Sequence, residues 1–403
     1  MFEARRAGRH FLQIPGPTNV PDRVLRAMDR PTIDHRGPEF QRLARTILDG
    51  LGRIVRTRGP VIVYPSSGTG AWEAALVNTL SPGDRVVMVE TGHFAALWKE
   101  MASRLGLEVL FLDGDWRSPV DPERIEDVLA RDRERRIRAV AIVHNETSTG
   151  VRSDVPAVRR AIDRVGHPAL LLVDTISSLA SMDYRHEEWG VDVTVGASQK
   201  GLMLPPGLGF NAVSEKALAA HRQARLPRSY WDWGAMLEAN AKGFFPYTPA
   251  TNLLYGLAEA IAMLEEEGLE RVFARHDRFA HATRAAVRAW GLEIVAREPR
   301  SFSSSLTGVF VPDGVDADRV RALVLERFDL SLGTGLGKLA RRAFRIGHLG
   351  DLNEPWLLGT LAAVEAGLEL AGVRLAGSGL EAAKRVLLET PAATRPAARA
   401  AAG

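Results

Sequence analysis

Between about residue 60 and residue 215 the chain alternates between two hydrophobic periods. Short apolar runs at 61–64, 86–90, 108–112, 138–144, 169–174, 191–195 and 207–213 read as strands. Stretches with apolar residues at helical spacing (71–79, 95–105 and 154–165) separate many of them. This alternation predicts an α/β unit built on a mostly parallel, seven-stranded sheet. Runs such as LLLVD (170–174) are apolar without a break, as expected of strands covered by helices on both faces. From 251 to 290 the pattern turns helical, with Leu253, Leu254, Leu257, Ile261 and Leu264 along one face. A second, smaller α+β unit follows, with strands at 307–311 and 345–346 and helices at 316–328 and 353–371. The expected organisation is an N-terminal arm over 1–20, a large domain over 21–267 and a small domain over 268–380. A tail over 381–403 is expected to be disordered, because its end, 390–403, is dominated by Ala, Pro and Arg without periodicity.

Composition narrows the class. Of 403 residues, 46% are hydrophobic and 25% charged, which suits a globular protein with a large core. No apolar run is long enough to span a bilayer, so no membrane association is expected. The first residues lack the features of a signal peptide and the last three, Ala-Ala-Gly, are no peroxisomal address, so a cytoplasmic location is expected. The absence of cysteine excludes disulfides, thiolate metal sites and cysteine nucleophiles, and no metal is expected. A net charge of +3 is too small to imply nucleic-acid binding. Of the 52 basic residues only six are lysines (99, 200, 216, 242, 338 and 384), so chemistry that needs a primary amine has six candidates.

Four places carry candidate chemistry. In PSSGTGAWEAALVN (65–78) a strand opens through a Ser/Gly/Thr loop into a helix. Amides and hydroxyls of Ser67, Gly68 and Thr69 would converge there on a phosphate, at the positive end of the helix dipole; the same residues would equally cap a helix. In LLLVDTISSL (170–179) an apolar strand delivers Asp174 at its carboxyl end, where ligands of open α/β sheets bind; a cap or turn role is the alternative. Lys200 follows the next strand and precedes Gly201 and Pro205-Pro206-Gly207. A lysine so placed is partly desolvated and becomes a nucleophile. Only Lys338, which follows a glycine run, rivals it. Arg345 lies inside an apolar strand, where it needs an anion: a substrate carboxylate or an internal partner. His348 beside it reads as structural. Together, a phosphate cradle, an acid at a strand end and a lysine 26 residues later fit pyridoxal phosphate. Lys200 would hold it as a Schiff base, Asp174 would keep its ring nitrogen protonated, and Arg345 would hold a substrate α-carboxylate.

The chain also resembles the class V, fold-type I aminotransferases, specifically the serine–glyoxylate group, over about residues 9–380. The motifs are PGPTNVP (15–21), DHR (34–36), SSGTGAWE (66–73), NTLSPGD (78–84), HNETSTGV (144–151), HPALLLVD (167–174), EWGVD (188–192), SQKGLMLPPGLG (198–209), PYTP (246–249), EEGLE (266–270) and FRIGHLGDLNE (344–354). The resemblance implies a phosphate loop at Ser67, Gly68 and Thr69 and a phosphate contact at Gln199. It implies an aromatic over the cofactor ring at Phe94 and a hydroxyl on the cofactor's 3-oxygen at Thr147. Tyr247 and Thr248 would reach the phosphate of the other subunit, and His35 and Arg36 its substrate pocket, so a homodimer with shared active sites is implied. Gly16, in Pro15-Gly16-Pro17, would lie near the substrate.

The implied reaction transfers an amino group from L-serine to glyoxylate, giving hydroxypyruvate and glycine, with aspartate or alanine as alternative donors. Three places depart from the common pattern: Thr175 stands where many relatives have glycine, Ser148 where they commonly have alanine, and RAFRIGH (342–348) where they commonly read KVFRIGH. Desulfurase chemistry needs a catalytic cysteine, which this chain lacks. A non-catalytic arginine-rich binding protein is the remote alternative, and a strongly salt-dependent affinity for DNA would be its mark.

Overall fold

The computed structural model describes residues 7–389. Its larger sheet has seven strands in the spatial order Val61–Ser66, Gly207–Val213, Val193–Ala197, Leu170–Asp174, Ile137–Val143, Arg85–Val89 and Glu108–Leu112. Gly207–Val213 runs antiparallel to both neighbours and the other adjacent pairs are parallel, so six strands share one direction.

The unbroken apolar runs have the expected cause. Val61 and Val63 enter one core with Phe40, Leu43 and Ile47 of the helix Pro38–Val55 and with Leu254 and Leu257 of Thr251–Glu267. Ile62 and Tyr64, on the opposite face, enter a second core with Trp72, Leu76 and Trp98. Each strand residue therefore meets a helix whichever way it points.

The second unit is a four-stranded sheet in the order Phe11–Gln13, Leu330–Thr334, Ala343–Gly347 and Leu306–Phe310. Its edge strand comes from the N-terminal segment, which pairs in parallel with Leu330–Leu332. Gln13 anchors that segment: its Oε1 accepts from Trp356 Nε1 at 2.8 Å and Thr360 Oγ1 at 3.1 Å.

The expected tail needs a correction. Residues Gly379–Glu389 form a helix rather than disordered chain, with Ala383 and Leu387 buried in the core that holds Trp290. Glu365 fixes its start, accepting from Gly379 N at 2.6 Å and Leu380 N at 3.0 Å. A carboxylate on the first amides of a helix satisfies donors that have no partner within the helix. The rest of the expected tail, 390–403, lies outside the described residues.

Candidate active site

Three strand ends of the larger sheet set the position of the site. The strand Val61–Ser66 opens into the helix Gly68–Thr79 through Ser67, whose side chain makes no cap bond to that helix. The Gly70 amide donates to Ser67 O at 3.1 Å, and the Gly68 and Thr69 amides keep their donors for something else. Ser67 and Thr69 are exposed, and Gly68 is buried. A Cβ on Gly68 would stand 2.9 Å from Ile176 Cγ1 and 3.3 Å from Ala197 Cβ, so only glycine lets this loop settle on the neighbouring strand ends.

Asp174 ends the strand Leu170–Asp174 and is 4% exposed. Its Oδ1 accepts from Ile176 N at 2.7 Å and its Oδ2 from Trp72 Nε1 at 2.9 Å. Desolvation pushes its carboxyl up to about 7, against those two donors and the attraction of Lys200.

Lys200 follows the strand Val193–Ala197 and is 8% exposed. Burial, then repulsion from Arg345, lowers its amine to about 7, with Asp174 pulling the other way. Its Nζ donates to Pro15 O. Thr18 holds the loop from the same segment: its amide donates to Gln199 O at 3.1 Å and its hydroxyl to Lys200 O at 3.1 Å. Gly16, at φ +96°, passes so close that a Cβ there would stand 2.7 Å from Lys200 Nζ.

Arg345 comes from the smaller sheet. Its Nε donates to Thr334 O and its Nη1 to Thr147 O, both at 2.8 Å. Among the described residues it is buried and within ion-pairing distance of no carboxylate, and desolvation lowers its guanidinium to about 10. Two backbone carbonyls thus fix the plane of the fork, and Glu146 attracts its charge from beyond ion-pairing distance.

Phe94 is half-buried, with its ring centroid 6.5 Å from that of Trp72, the side chain that holds Asp174. Thr147 is buried and donates to Ser177 Oγ at 2.7 Å. Gln199 Oε1 is buried with no hydrogen-bond partner among the described residues.

His35, Arg36, Tyr247 and Thr248 are not brought to this cluster within one chain. No hydrogen bond, ion pair or ring contact among the described residues ties them to Lys200, Asp174 or Arg345. Arg36 and Thr248 are exposed, and Tyr247 stacks on Tyr230 with centroids 4.3 Å apart. The rival lysine is accounted for: Lys338 is exposed, 2.6 Å from Glu90 Oε1 and 5.3 Å from the Trp116 ring. His348 is fully buried between Thr307 Oγ1 and Ser304 O, and burial lowers it to about 3.

The structure adds residues to which the sequence assigned no role. Trp72 lies within the SSGTGAWE motif but was distinguished there from no other helical aromatic. Glu146 is fully buried and accepts from Ala95 N at 3.1 Å and Phe94 N at 3.3 Å, so it holds the start of the helix His93–Arg104 and with it the Phe94 backbone. Ser148, one of the departures, donates to Glu146 Oε1 at 2.7 Å and accepts from His93 N at 2.9 Å. Thr175, another, gives both its amide and its hydroxyl to Val195 O, each at 2.9 Å. These two residues tie neighbouring strand ends and loops together beside the cluster.

A pyridine aldehyde bearing a phosphate fits what these residues offer: an amine whose pKa burial lowers, a buried acid, a helix start without a side-chain cap and, among the described residues, an unpartnered amide oxygen. The model for the class-V aminotransferases matches residues 10–337. The serine–glyoxylate aminotransferase of Methylorubrum extorquens is 48% identical over 400 residues, covering 98% of this chain and 100% of that protein. The L-aspartate–glyoxylate aminotransferase of Paracoccus denitrificans is 46% identical, covering 95% and 97%. Among solved structures, ureidoglycine–glyoxylate aminotransferase from Bacillus subtilis superposes with a TM-score of 0.89 at 28% identity, covering 96% of this chain and 100% of that one. No helix among the described residues is long and apolar enough to cross a membrane. The chain belongs to the class-V aminotransferases and is a transaminase that works with pyridoxal phosphate.

Proposed function

We propose that this enzyme moves the amino group of L-serine to glyoxylate, releasing hydroxypyruvate and glycine. The observation that carries the donor is the 48% identity, over 400 residues, to a serine–glyoxylate aminotransferase. L-aspartate is the second reading, on the 46% identity to an aspartate-using relative.

In this reading Arg345 binds the α-carboxylate common to every amino donor, its fork already oriented by Thr334 O and Thr147 O. Lys200 Nζ, with its pKa lowered to about 7, takes the proton from the substrate's Cα, a task suited to an amine poised near working pH. Asp174, its two oxygens fixed by Trp72 and Ile176 N, would hold a proton on the ring nitrogen. Ser67, Gly68, Thr69 and Gln199 hold the phosphate, and Phe94 covers the ring. When bound, pyridoxal phosphate supplies the electron sink that makes the Cα–H acidic.

The donor is read from the absorption of the holoenzyme. L-serine should remove the visible cofactor band at lower concentration than L-aspartate or L-alanine, and glyoxylate should restore it. If L-aspartate acts at the lowest concentration, the second reading replaces the first.

The same reading makes the enzyme a cytoplasmic homodimer, with His35, Arg36, Tyr247 and Thr248 serving the partner's site. The exposed Arg36 and Thr248, and a His35 Nε2 that is buried without a partner, support this. Lys200→Ala and Arg36→Ala chains, each deficient alone, should regain activity when co-assembled, because one of the two sites then receives both intact residues. No recovery in a confirmed mixed dimer would place Arg36 in its own chain's site.

A further inference from the structure

Behind Thr147 lies a buried hydroxyl network in which geometry fixes the protons of Ser177, Ser305 and Thr147. Ser177 Oγ is 2.8 Å from Asn145 O, and Ser305 Oγ is 2.6 Å from Ser177 O. Both partners are carbonyls, which only accept, so both serine protons are committed to them. The Asn145 side-chain atom that approaches Ser177 Oγ at 2.8 Å and Ser305 Oγ at 3.2 Å must then be its nitrogen. Ser177 Oγ has no proton left for Thr147. The 2.7 Å contact between Thr147 Oγ1 and Ser177 Oγ therefore uses the proton of Thr147.

We propose that Ser177 is a positioning residue that keeps the Thr147 hydroxyl proton turned away from the cofactor, so that Thr147 offers the cofactor's 3-oxygen lone pairs only. The inference rests on the reading that places Thr147 at that oxygen. Thr147 is also the residue whose carbonyl holds Arg345, and Ser177 follows Asp174 by three residues, so the network lies between the two charged ends of the site. A hydroxyl that can only accept favours the protonated 3-oxygen. A hydroxyl free to donate would favour the ionised one. Ser177 thus holds up the pH at which the bound cofactor loses its proton.

The test is the pH midpoint of the visible cofactor band in the holoenzyme, followed between pH 5 and 10. Ser177→Ala frees the Thr147 proton and should lower the midpoint by roughly half a unit to one unit, the shift expected of one hydrogen bond. Ser305→Ala is the control: it breaks the same network at Ser177 O and leaves the Thr147 bond to Ser177 Oγ in place, so its midpoint should stay at the wild-type value. Equal shifts in both variants would mean a general loosening of the network and overturn the proposal. No difference between Ser177→Ala and wild type anywhere in the range would overturn it as well. Thr147→Val separates the two levels. A midpoint that moves in Thr147→Val and not in Ser177→Ala rejects the role of Ser177 alone, whereas one that moves in neither rejects the placement of Thr147 at the 3-oxygen.

Discussion

Lys200→Ala lowers turnover at least about 10³-fold, the scale of a lost general acid–base group, and leaves a folded protein. Two losses combine in this variant. The Cα proton has no acceptor, and the cofactor loses its covalent tether. The two are separable by experiment. Borohydride reduction followed by mass spectrometry should add the cofactor's mass to the wild-type chain and not to the variant. Far-ultraviolet circular dichroism should be unchanged, because the amine's one hydrogen bond among the described residues is to Pro15 O, and its burial opposes its charge. Full turnover in the variant would remove Lys200 from the mechanism. Lys338 would not replace it, since that amine is held at Glu90.

Asp174→Ala is the second large effect, a loss of at least about 10²-fold, the scale of removing one well-placed electrostatic group. A cofactor methylated on its ring nitrogen carries the positive charge permanently and needs no acid partner. It should therefore restore part of the activity to Asp174→Ala and none to Lys200→Ala. Failure of that rescue in a variant that still binds the analogue would leave Asp174 as a structural group only.

The same residue gives a pH dependence in the cofactor-free protein. Its folded-state carboxyl, at about 7, lies above the ordinary carboxylate value, so ionisation opposes folding. Its destabilising contribution grows as pH rises from about 4 to about 7 and is constant above that. Lys200, lowered to about 7, has the opposite sign: its charge opposes folding below about 7 and is relieved as pH rises toward the ordinary lysine range. The empty site is thus least favourable near neutrality. Relative to wild type, the Tm of cofactor-free Asp174→Ala should rise between pH 5 and 7; a constant difference would contradict the raised carboxyl.

Much of this is legible in the sequence. Runs that are apolar at every position gave the sheet, because both of its faces are covered. Asp174 and Lys200 stood out because a charged residue closing such a run has few other uses. The smaller sheet was harder to read. The strand Leu330–Thr334 reads LSLGT, too short and too polar to declare itself, and Phe11–Gln13 offers only three residues. The strand before Lys200 begins at Val193 and not at Val191, since Asp192 between them turns its carboxylate to Leu171 N at 2.8 Å. The last helix reads as tail from the sequence, because the Ala/Pro/Arg stretch beyond it shifts the apparent boundary too early. Trp72, Glu146 and Ser177 could not be assigned at all. Their roles consist of contacts with residues distant in sequence, and nothing local distinguishes a buried glutamate in HNETSTG from an exposed one.

The route of the N-terminal segment also bears on how the enzyme comes to exist. Phe11–Gln13 pairs with Leu330–Leu332, and the residues directly after it deliver Pro15, Gly16 and Thr18 to the Lys200 loop. A ribosome releases this segment some three hundred residues before its partner strand. During synthesis the larger sheet can form while the roof over its reactive amine still lacks the strand that anchors it. Such a long-range pairing is among the slowest contacts a chain makes. The roof over the reactive amine is therefore anchored only after the strand Leu330–Thr334 has been made.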